Sequence, residues 1–283
     1  MTVLVPRTLD EALTASASNP NALLIQGGTD LMVEVNFNHR HPVDVIALRR
    51  VTELRKYEVS ADKSRIKVFA GLPYQEMEKG TIAELVPALA QAARTVGSPQ
   101  IRAAGSIGGN LGTCSPAGDA LPVLSALDAV INLRSANETR DISVHDFMVG
   151  VKKNARTPGE IIVSASLPVV NGWQGYAKVG VRNAMVISVA SCCLVVDRTN
   201  AKIAVSLGAV GPTIIRCREA ESWLQSQIDL SKIAVVPAKL LIEFGEKVAT
   251  EARPISDHRS TADYRRHAIA TLSRRLLERA NTK

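Results

Sequence analysis

The chain has 283 residues, of which 46% are hydrophobic and 4% aromatic, and its formal net charge is +7. Abundant apolar residues exclude wholesale disorder, and the length suffices for about two domains. No apolar run is long enough for a membrane span, and no basic and apolar leader opens the sequence, so we expect a cytoplasmic protein. The basic residues are scattered and the aromatic residues are few, which argues against a nucleic-acid partner.

The first part of the chain predicts strands that alternate with helices. Apolar runs of strand length follow one another, at 3–5, 22–26, 43–48 and 66–70. Thr8 and Glu11 have the spacing of a helix capping box, which predicts a helix over 8–17. An alanine-rich run predicts a second helix over 85–96.

A glycine-rich segment, residues 97–119, differs from the rest of the chain. It contains six glycines and two prolines. We predict a loop here, and a loop of that length inside a compact domain is usually functional. The apolar patterns after it predict a helix at 121–127 and strands at 129–133 and 161–167.

The pattern changes again near Gly172. Two β-rich runs, 186–196 and 202–210, are separated by turn residues, which is typical of a β-hairpin. Helical periodicity then predicts three helices, at 218–227, 238–252 and 261–280. We therefore expect α/β subdomains at about 1–56 and 57–172 and a smaller α+β domain at 173–283.

The segment Gln26-Gly27-Gly28-Thr29-Asp30 is the first candidate site. A predicted strand runs directly into two glycines, which have no side chain to keep a phosphate away from backbone N–H groups. Thr29 could donate to a phosphate oxygen, and we expect a helix to begin at Leu31. The alternative is an ordinary turn after a strand.

The segment 105–113 is the second candidate, with polar side chains at Ser106, Asn110 and Thr113. A plain surface loop is the alternative, but a mere connector would avoid so many glycines because they cost conformational entropy. Two such segments, about 80 residues apart in the chain, suggest a pyrophosphate held between two subdomains. The sequence has neither the Gly-x-Gly-x-x-Gly nor the P-loop motif, which disfavours a Rossmann dehydrogenase or a P-loop enzyme.

Asp119 and Lys178 are further candidates, each with a structural alternative. Asp119 could accept hydrogen bonds from ribose or ribityl hydroxyls, or could cap the helix near Leu121. Lys178 could stabilise the negative charge of a reduced flavin, or could be a solvated lysine on a strand. The four cysteines lack metal-ligand spacing, and only Cys114 has a conceivable redox role. We expect no metal site and no catalytic acid or base.

Six short motifs are spread along the chain from its N-terminal to its C-terminal part. The first three are Gln26-Gly-Gly-Thr-Asp-Leu31, Ser106-Ile-Gly-Gly-Asn110 and Ser115-Pro-Ala-Gly-Asp119. The C-terminal part adds Tyr176-Ala-Lys178, Gly208-Ala-Val-Gly-Pro212 and Pro254-Ile-Ser-Asp257. Together they resemble the FAD-binding, medium subunit of molybdenum hydroxylases, the group of xanthine dehydrogenase and carbon monoxide dehydrogenase. Gln26 and Cys114 stand where the family usually has a small residue.

The resemblance implies a fold and a set of FAD-binding residues. The fold would be α+β, with a two-subdomain α/β FAD-binding domain of the vanillyl-alcohol-oxidase (PCMH) type. A small α+β C-terminal domain with a three-stranded antiparallel sheet and helices would follow it. By motif position, the residues around the pyrophosphate would be Leu24, Ile25, Gln26, Gly27, Gly28, Thr29, Asp30, Leu31, Ser106, Ile107, Gly108, Gly109 and Asn110. The resemblance assigns Thr113 and Asp119 to ribityl or ribose oxygens, Ile162 to the flavin or adenine, and Lys178 to the ring system.

The resemblance also implies a function and partners. The chain would be an electron-transfer subunit that binds FAD noncovalently, beside a large molybdenum-cofactor subunit and a small [2Fe-2S] subunit, in a dimer of heterotrimers. Electrons would pass from the iron–sulfur clusters to FAD and on to an acceptor such as NAD, oxygen or a quinone. A stand-alone flavin oxidase of the same fold and a flavin-free scaffold are the alternatives. The organic substrate is not implied, because its pocket would belong to another polypeptide.

Overall fold

The structure is a computed structural model that describes residues 2–41 and 44–281. These residues divide into two compact units. The N-terminal unit runs up to Glu76 and adds Ser98–Cys114 and Asp128–Pro168. The C-terminal unit joins Met77–Gly97 and Ser115–Leu127 to the chain from Val169 onward.

The N-terminal unit begins with a small parallel sheet, as the sequence predicts. Its elements are β1 (Thr2–Leu4), α1 (Leu9–Ser18), β2 (Leu23–Ile25), α2 (Leu31–Asn36) and β3 (Asp44–Ala47). The strand order is β1-β3-β2, and Val43, where we predicted the third strand to begin, lies outside the described residues. Thr8 Oγ1 accepts the Glu11 N–H at 3.1 Å, and Glu11 Oε2 accepts the Arg7 N–H at 2.7 Å. Both side chains therefore accept a backbone N–H at the start of α1.

The middle of the chain contains more helices than the sequence pattern predicts. Two single 3₁₀ turns, Leu48–Arg50 and Thr52–Leu54, come first. The elements that follow are β4 (Tyr57–Val59), β5 (Arg65–Phe69), α3 (Tyr74–Met77), α4 (Gly80–Leu85), α5 (Pro87–Thr95), α6 (Pro99–Ala104), α7 (Ile107–Thr113) and α8 (Leu121–Ala126). They continue with β6 (Val130–Arg134), β7 (Thr139–Ser143), α9 (Val144–Phe147), β8 (Met148–Gly150), β9 (Lys153–Asn154) and β10 (Ile161–Pro168).

The prediction of a loop over 97–119 was wrong, because the segment folds into the short helices α6 and α7. Ser98 Oγ accepts the Ile101 N–H at 3.3 Å, and Pro99 occupies the first helical turn, where its missing N–H costs nothing. Ser106 Oγ accepts the Gly109 N–H at 3.2 Å and caps α7. These caps, together with tertiary packing, outweigh the low helix propensity of glycine. The helix predicted over 85–96 likewise begins only at Pro87.

A five-stranded antiparallel sheet organises the rest of the N-terminal unit, with the order β4-β5-β10-β6-β7. Its central strand, β10, pairs with β5 on one side and β6 on the other. The register with β6 shifts between Ile162 and Ser164, which is a β-bulge. Bulges often re-aim side chains beside functional sites, and this one lies next to a predicted FAD contact.

The C-terminal unit has the antiparallel sheet and helices that the family resemblance implies. Three long strands, β11 (Gly172–Val179), β12 (Ala190–Asp197) and β13 (Lys202–Gly208), are joined at one edge by the two-residue β14 (Ile215–Arg216). The helices are α10 (Arg218–Gln227), α11 (Ala238–Glu251) and α12 (Ala262–Ala280). The strand predicted from residue 186 begins only at Ala190. Within the described residues, no helix is long and apolar enough to cross a membrane.

Candidate functional site

The structure brings the two predicted glycine-rich segments together in the N-terminal unit. A Cβ atom on Gly27 would lie 2.0 Å from the Ala104 carbonyl oxygen, so the first segment packs directly against the end of α6. Thr113 Oγ1 donates to Asp30 Oδ2 at 3.1 Å and joins the end of α7 to the start of α2. Two segments that are distant in sequence therefore form one continuous surface.

Gly27, Gly28 and Gly108 are required by the protein itself. A Cβ atom on Gly108 would lie 2.5 Å from Ala70 Cβ, and one on Gly27 would collide with α6. Gly28 has a φ of +71°, a conformation that L side chains rarely adopt. These three glycines are explained by backbone packing and conformation without any ligand.

Gly109 and Gly112 are different, because no residue that the structure describes fills the space beside them. A Cβ atom on Gly109 would meet only Ser106 Oγ, at 3.6 Å, and one on Gly112 would meet only Ile162 Cδ1, at 4.0 Å. Both glycines are exposed and lie three residues apart, so they share one face of α7. Two exposed glycines weaken a seven-residue helix, and close approach of a ligand would account for them.

The backbone amides of the two segments are not equally available. The Gly108 N–H donates to the Ala70 carbonyl at 2.9 Å, and the Gly109 N–H donates to Ser106 Oγ at 3.2 Å. In the described part of the chain, the amides of Gly28, Thr29 and Asp30 donate to no protein acceptor. The amides of Gly28, Thr29 and Asp30 are therefore available to an anion, whereas those of Gly108 and Gly109 are not.

Asn110 presents a polar atom that the protein leaves unsatisfied. Its Oδ1 is buried and, among the described residues, has no hydrogen-bond partner. A buried acceptor without a partner costs free energy, so such a group in a native structure calls for an explanation. A bound molecule that donates a hydrogen bond would supply one.

The remaining predicted residues of the N-terminal unit occupy supporting positions. Leu24 and Ile25 lie in β2, Leu31 begins α2 as predicted, and Ile107 is fully buried. Gln26 Nε2 approaches the Gly71 carbonyl oxygen at 3.4 Å, which accounts for a large residue at this position. Ile162 is 7% exposed and lies beside Gly112.

Asp119 and Lys178 lie in the C-terminal unit and contact each other. Lys178 Nζ donates to Asp119 Oδ2 at 2.6 Å, to the Thr95 carbonyl at 2.9 Å and to the Val186 carbonyl at 3.0 Å. The lysine side chain is buried, so the alternative of a solvated strand lysine was wrong. All three of its N–H groups are used inside the unit.

Asp119 is the centre of a larger polar cluster. Its Oδ1 accepts the hydroxyl hydrogens of Tyr176 at 2.8 Å and Ser188 at 2.6 Å, and Thr95 Oγ1 donates to Oδ2 at 3.3 Å. Helix α8 has no side-chain cap, so the reading of Asp119 as its N-cap was wrong. Burial, followed by the Asp119 charge, raises the pKa of Tyr176 well above its usual value, which keeps this hydroxyl a donor. Sequence reasoning missed Ser188 and Thr95, which carry no local motif.

The cysteines are placed as small buried side chains. All four are buried, and burial raises the pKa of Cys114 to about 11. A thiol of that pKa is protonated at neutral pH and reacts slowly, which disfavours the redox role considered for Cys114. Across residues 2–41 and 44–281 no cluster of His, Cys, Asp or Glu has the arrangement of a metal site.

The chain matches two family models in succession. Residues 1–170 match the FAD binding domain in molybdopterin dehydrogenase, and residues 176–280 match the CO dehydrogenase flavoprotein C-terminal domain. The chain is 27% identical to the putative xanthine dehydrogenase FAD-binding subunit XdhB of Escherichia coli (strain K12), over 96% of this chain and 93% of that one. It is 32% identical to the nicotinate dehydrogenase FAD-subunit of Eubacterium barkeri, over 77% of each.

The fold is also that of a solved structure. The chain superposes on quinoline 2-oxidoreductase from Pseudomonas putida 86 with a TM-score of 0.90 and 21% identity, over 100% of this chain and 97% of that one. This likeness confirms the predicted fold class, and the two family models confirm the resemblance read from the motifs. The chain therefore belongs to the family of FAD-binding, medium subunits of molybdenum hydroxylases.

Proposed function

We propose that this chain is the FAD-carrying electron-transfer subunit of a molybdenum-containing hydroxylase complex. Two observations carry the proposal: the bare face of α7 at Gly109 and Gly112, and the buried Asn110 Oδ1, which has no hydrogen-bond partner among the described residues. These features fit a ligand that approaches the backbone closely and donates a hydrogen bond to an amide oxygen. Family membership supports FAD as that ligand.

The N-terminal unit supplies the groups that would hold the cofactor. The free amides of Gly28, Thr29 and Asp30 suit a pyrophosphate, and the Thr29 hydroxyl can add a donor. Asn110 would orient a neighbouring hydroxyl or N–H group, and Ile162 would supply an apolar contact beside Gly112. Asp119 and Lys178 remain predictions of the family resemblance. Because their side chains are already paired with each other, any effect of Lys178 on a flavin would act through its charge.

The proposed complex contains partners that provide the remaining chemistry. Bound FAD supplies two-electron redox chemistry, and the protein supplies binding, orientation and electrostatics. A large molybdenum-cofactor subunit and a small [2Fe-2S] subunit would accompany this chain, in a dimer of heterotrimers in the cytoplasm. Support for such partners comes from relatives named as subunits, such as the nicotine 6-hydroxylase medium subunit of Paenarthrobacter nicotinovorans. An acceptor such as NAD, oxygen or a quinone would take the electrons.

Titration of the purified full-length chain with FAD tests the cofactor assignment. We expect saturable, stoichiometric binding that is followed by the flavin absorbance and by quenching of its fluorescence. Acid precipitation should then release the flavin into the supernatant, whereas flavin that stays with the protein would favour the stand-alone oxidase, which often carries a covalent link. A chain that takes up no FAD would overturn the proposal and favour the scaffold.

Purification of the complex from its source tests the role as a subunit. We expect two further polypeptides, one with molybdenum and one with iron and acid-labile sulfur. Recovery of this chain alone, with full oxidase activity toward an organic substrate, would contradict the electron-transfer role.

A further inference from the structure

The turn between β8 and β9 contacts both glycine-rich segments of the N-terminal unit. Lys152 Nζ lies 2.5 Å from Glu34 Oε1 on α2 and 3.8 Å from Asp30 Oδ2. The backbone N–H of the same residue donates to the carbonyl oxygen of Cys114 at 3.2 Å. One residue thus holds the start of α2 through its side chain and the end of α7 through its backbone.

Asn154, two residues further on, holds α7 by a second route. Its Nδ2 donates to the Gly112 carbonyl at 2.9 Å and approaches the Leu111 carbonyl at 3.4 Å. The last carbonyls of a helix have no partner within it, so a side-chain donor there fixes the helix end. The Asn154 Oδ1 accepts the Arg156 N–H at 3.2 Å, which fixes the side chain in turn.

These contacts form a closed ring. The first segment reaches the second through Asp30 and Thr113, and both segments reach the β8–β9 turn through Lys152. The Lys152 hydrogen bond is the largest cause of the lowered pKa of Glu34. Without the Lys152 side chain, the packing of Gly27 and the Thr113–Asp30 hydrogen bond would still join the two segments, but the tie from the β8–β9 turn to α2 would be lost.

The backbone of Lys152 indicates that its side chain is needed. Its φ is +52°, in the left-handed region where glycine is the residue without strain. Strained residues of this kind persist where the surroundings require them and cluster at functional sites. Lys63 has a φ of +56° in an exposed turn of the same unit, but it contacts neither segment. The two lysines therefore share the strained backbone but differ in their contacts, so Lys63 is the control for Lys152.

We propose that Lys152 and Asn154 are positioning residues that hold the two FAD-binding segments at a fixed separation. The proposal rests on the proposed function, because the separation matters only if one ligand contacts both segments. Neither residue needs to touch the cofactor. Lys152 acts through Asp30 and Glu34, and Asn154 acts through the end of α7.

FAD titration of the full-length chain, paired with thermal unfolding without FAD, tests Lys152. In Lys152→Gly we expect the FAD dissociation constant to rise about two- to fivefold, as for loss of a partly exposed ion pair. The melting temperature without FAD should not fall, since glycine relieves the left-handed strain. Lys63→Gly should relieve the same strain and leave FAD affinity unchanged. Lys152→Arg should restore the affinity because it keeps the positive charge.

A second variant keeps the test decisive if Lys152→Gly folds poorly. Asn154→Asp retains the acceptor for the Arg156 N–H but loses the donor to α7. We expect weaker FAD binding with little change in melting temperature. Wild-type affinity in both Lys152→Gly and Asn154→Asp would overturn the inference, as would affinity that falls only in step with the melting temperature. Failure of the wild-type chain itself to bind FAD would refute the proposed function instead.

Discussion

Lys178 Nζ lies 2.6 Å from Asp119 Oδ2, and the two side chains are only 9% and 8% exposed. The ammonium also donates to two carbonyls, and the carboxylate also accepts from three hydroxyls. A buried charge becomes costly once its partner is removed, whereas the intact pair is worth little more than apolar residues of similar volume. The cluster therefore makes each member dependent on the others.

We predict that Asp119→Ala and Lys178→Met each lower the free energy of unfolding by about 3–5 kcal/mol, because each leaves one buried charge unpaired. The double variant should lose less than the sum of the two single losses. Urea unfolding at pH 7 measures all three. Lys56→Met is the control, since the Lys56–Glu58 pair is about half exposed and should cost less than about 1 kcal/mol. Additive losses in the double variant would contradict the coupling.

The two adjacent glycines of α7 should respond oppositely to alanine. Gly109→Ala should fold normally and gain up to about 1 kcal/mol of stability, because alanine favours helix and the nearest described atom, Ser106 Oγ, lies 3.6 Å from its Cβ. Its FAD dissociation constant should rise by at least about tenfold, since the Cβ occupies the open face. Gly109→Val should abolish FAD uptake. FAD titration and thermal unfolding measure the two effects separately.

Gly108→Ala is the matched comparison. Its Cβ would lie 2.5 Å from Ala70 Cβ and 2.6 Å from the Ala70 carbonyl oxygen, so something must shift. We expect a loss of about 1–3 kcal/mol in unfolding free energy, which is typical of overpacking. If Gly109→Ala bound FAD like the wild type, the bare face of α7 would not be the ligand surface.

Local signals determined what could be predicted from the sequence. The Thr8–Glu11 spacing located α1, and alternating apolar runs located the main strands, because both signals arise from neighbouring residues. The motifs located the two segments that the fold brings together. They did not distinguish glycines that the backbone needs, such as Gly108, from glycines that leave open space, such as Gly109, because that difference depends on Ala70.

The rest of the site depends on contacts between residues far apart in sequence. Lys178 can be buried because it pairs with Asp119, which is 59 residues away in the sequence. No sequence pattern near either residue indicates this pair. Helices α6 and α7 were missed because serine caps outweigh the poor helix propensity of glycine. The β8–β9 turn has no hairpin signature, because a lysine occupies the left-handed position where glycine or asparagine is usual.

The cysteines should be unreactive in the folded chain. All four are buried, and burial raises the pKa of Cys114 to about 11. We expect iodoacetamide at about pH 7.5, which is about one unit below the pKa of a free thiol, to label no cysteine in the native state. In urea it should label all four. Mass spectrometry after timed quenching measures the labelling. Rapid single labelling of Cys114 in the native chain would instead show an accessible thiolate and restore its redox role.

Glu160 makes the stability of the N-terminal unit depend on pH. Arg140 donates to both carboxylate oxygens, at 2.6 and 2.9 Å, and the Thr157 N–H donates at 2.6 Å. The hydrogen bond from Arg140 is the largest of the causes that lower the pKa of Glu160 to about 2, from 4.5. Because the folded-state pKa is the lower one, this stabilisation is fully present above pH 4.5 and is lost as the pH falls toward 2.

We therefore predict that Glu160→Gln lowers the free energy of unfolding by about 2 kcal/mol at pH 7, since it weakens charge-assisted hydrogen bonds to Arg140. The difference from the wild type should shrink between pH 4.5 and about 2, where the wild-type carboxyl becomes neutral as well. Urea unfolding at several pH values measures it, with Glu84→Gln on the exposed side of α4 as the control. A difference that stays constant down to pH 2 would mean that lost packing, and not lost charge, destabilises the variant.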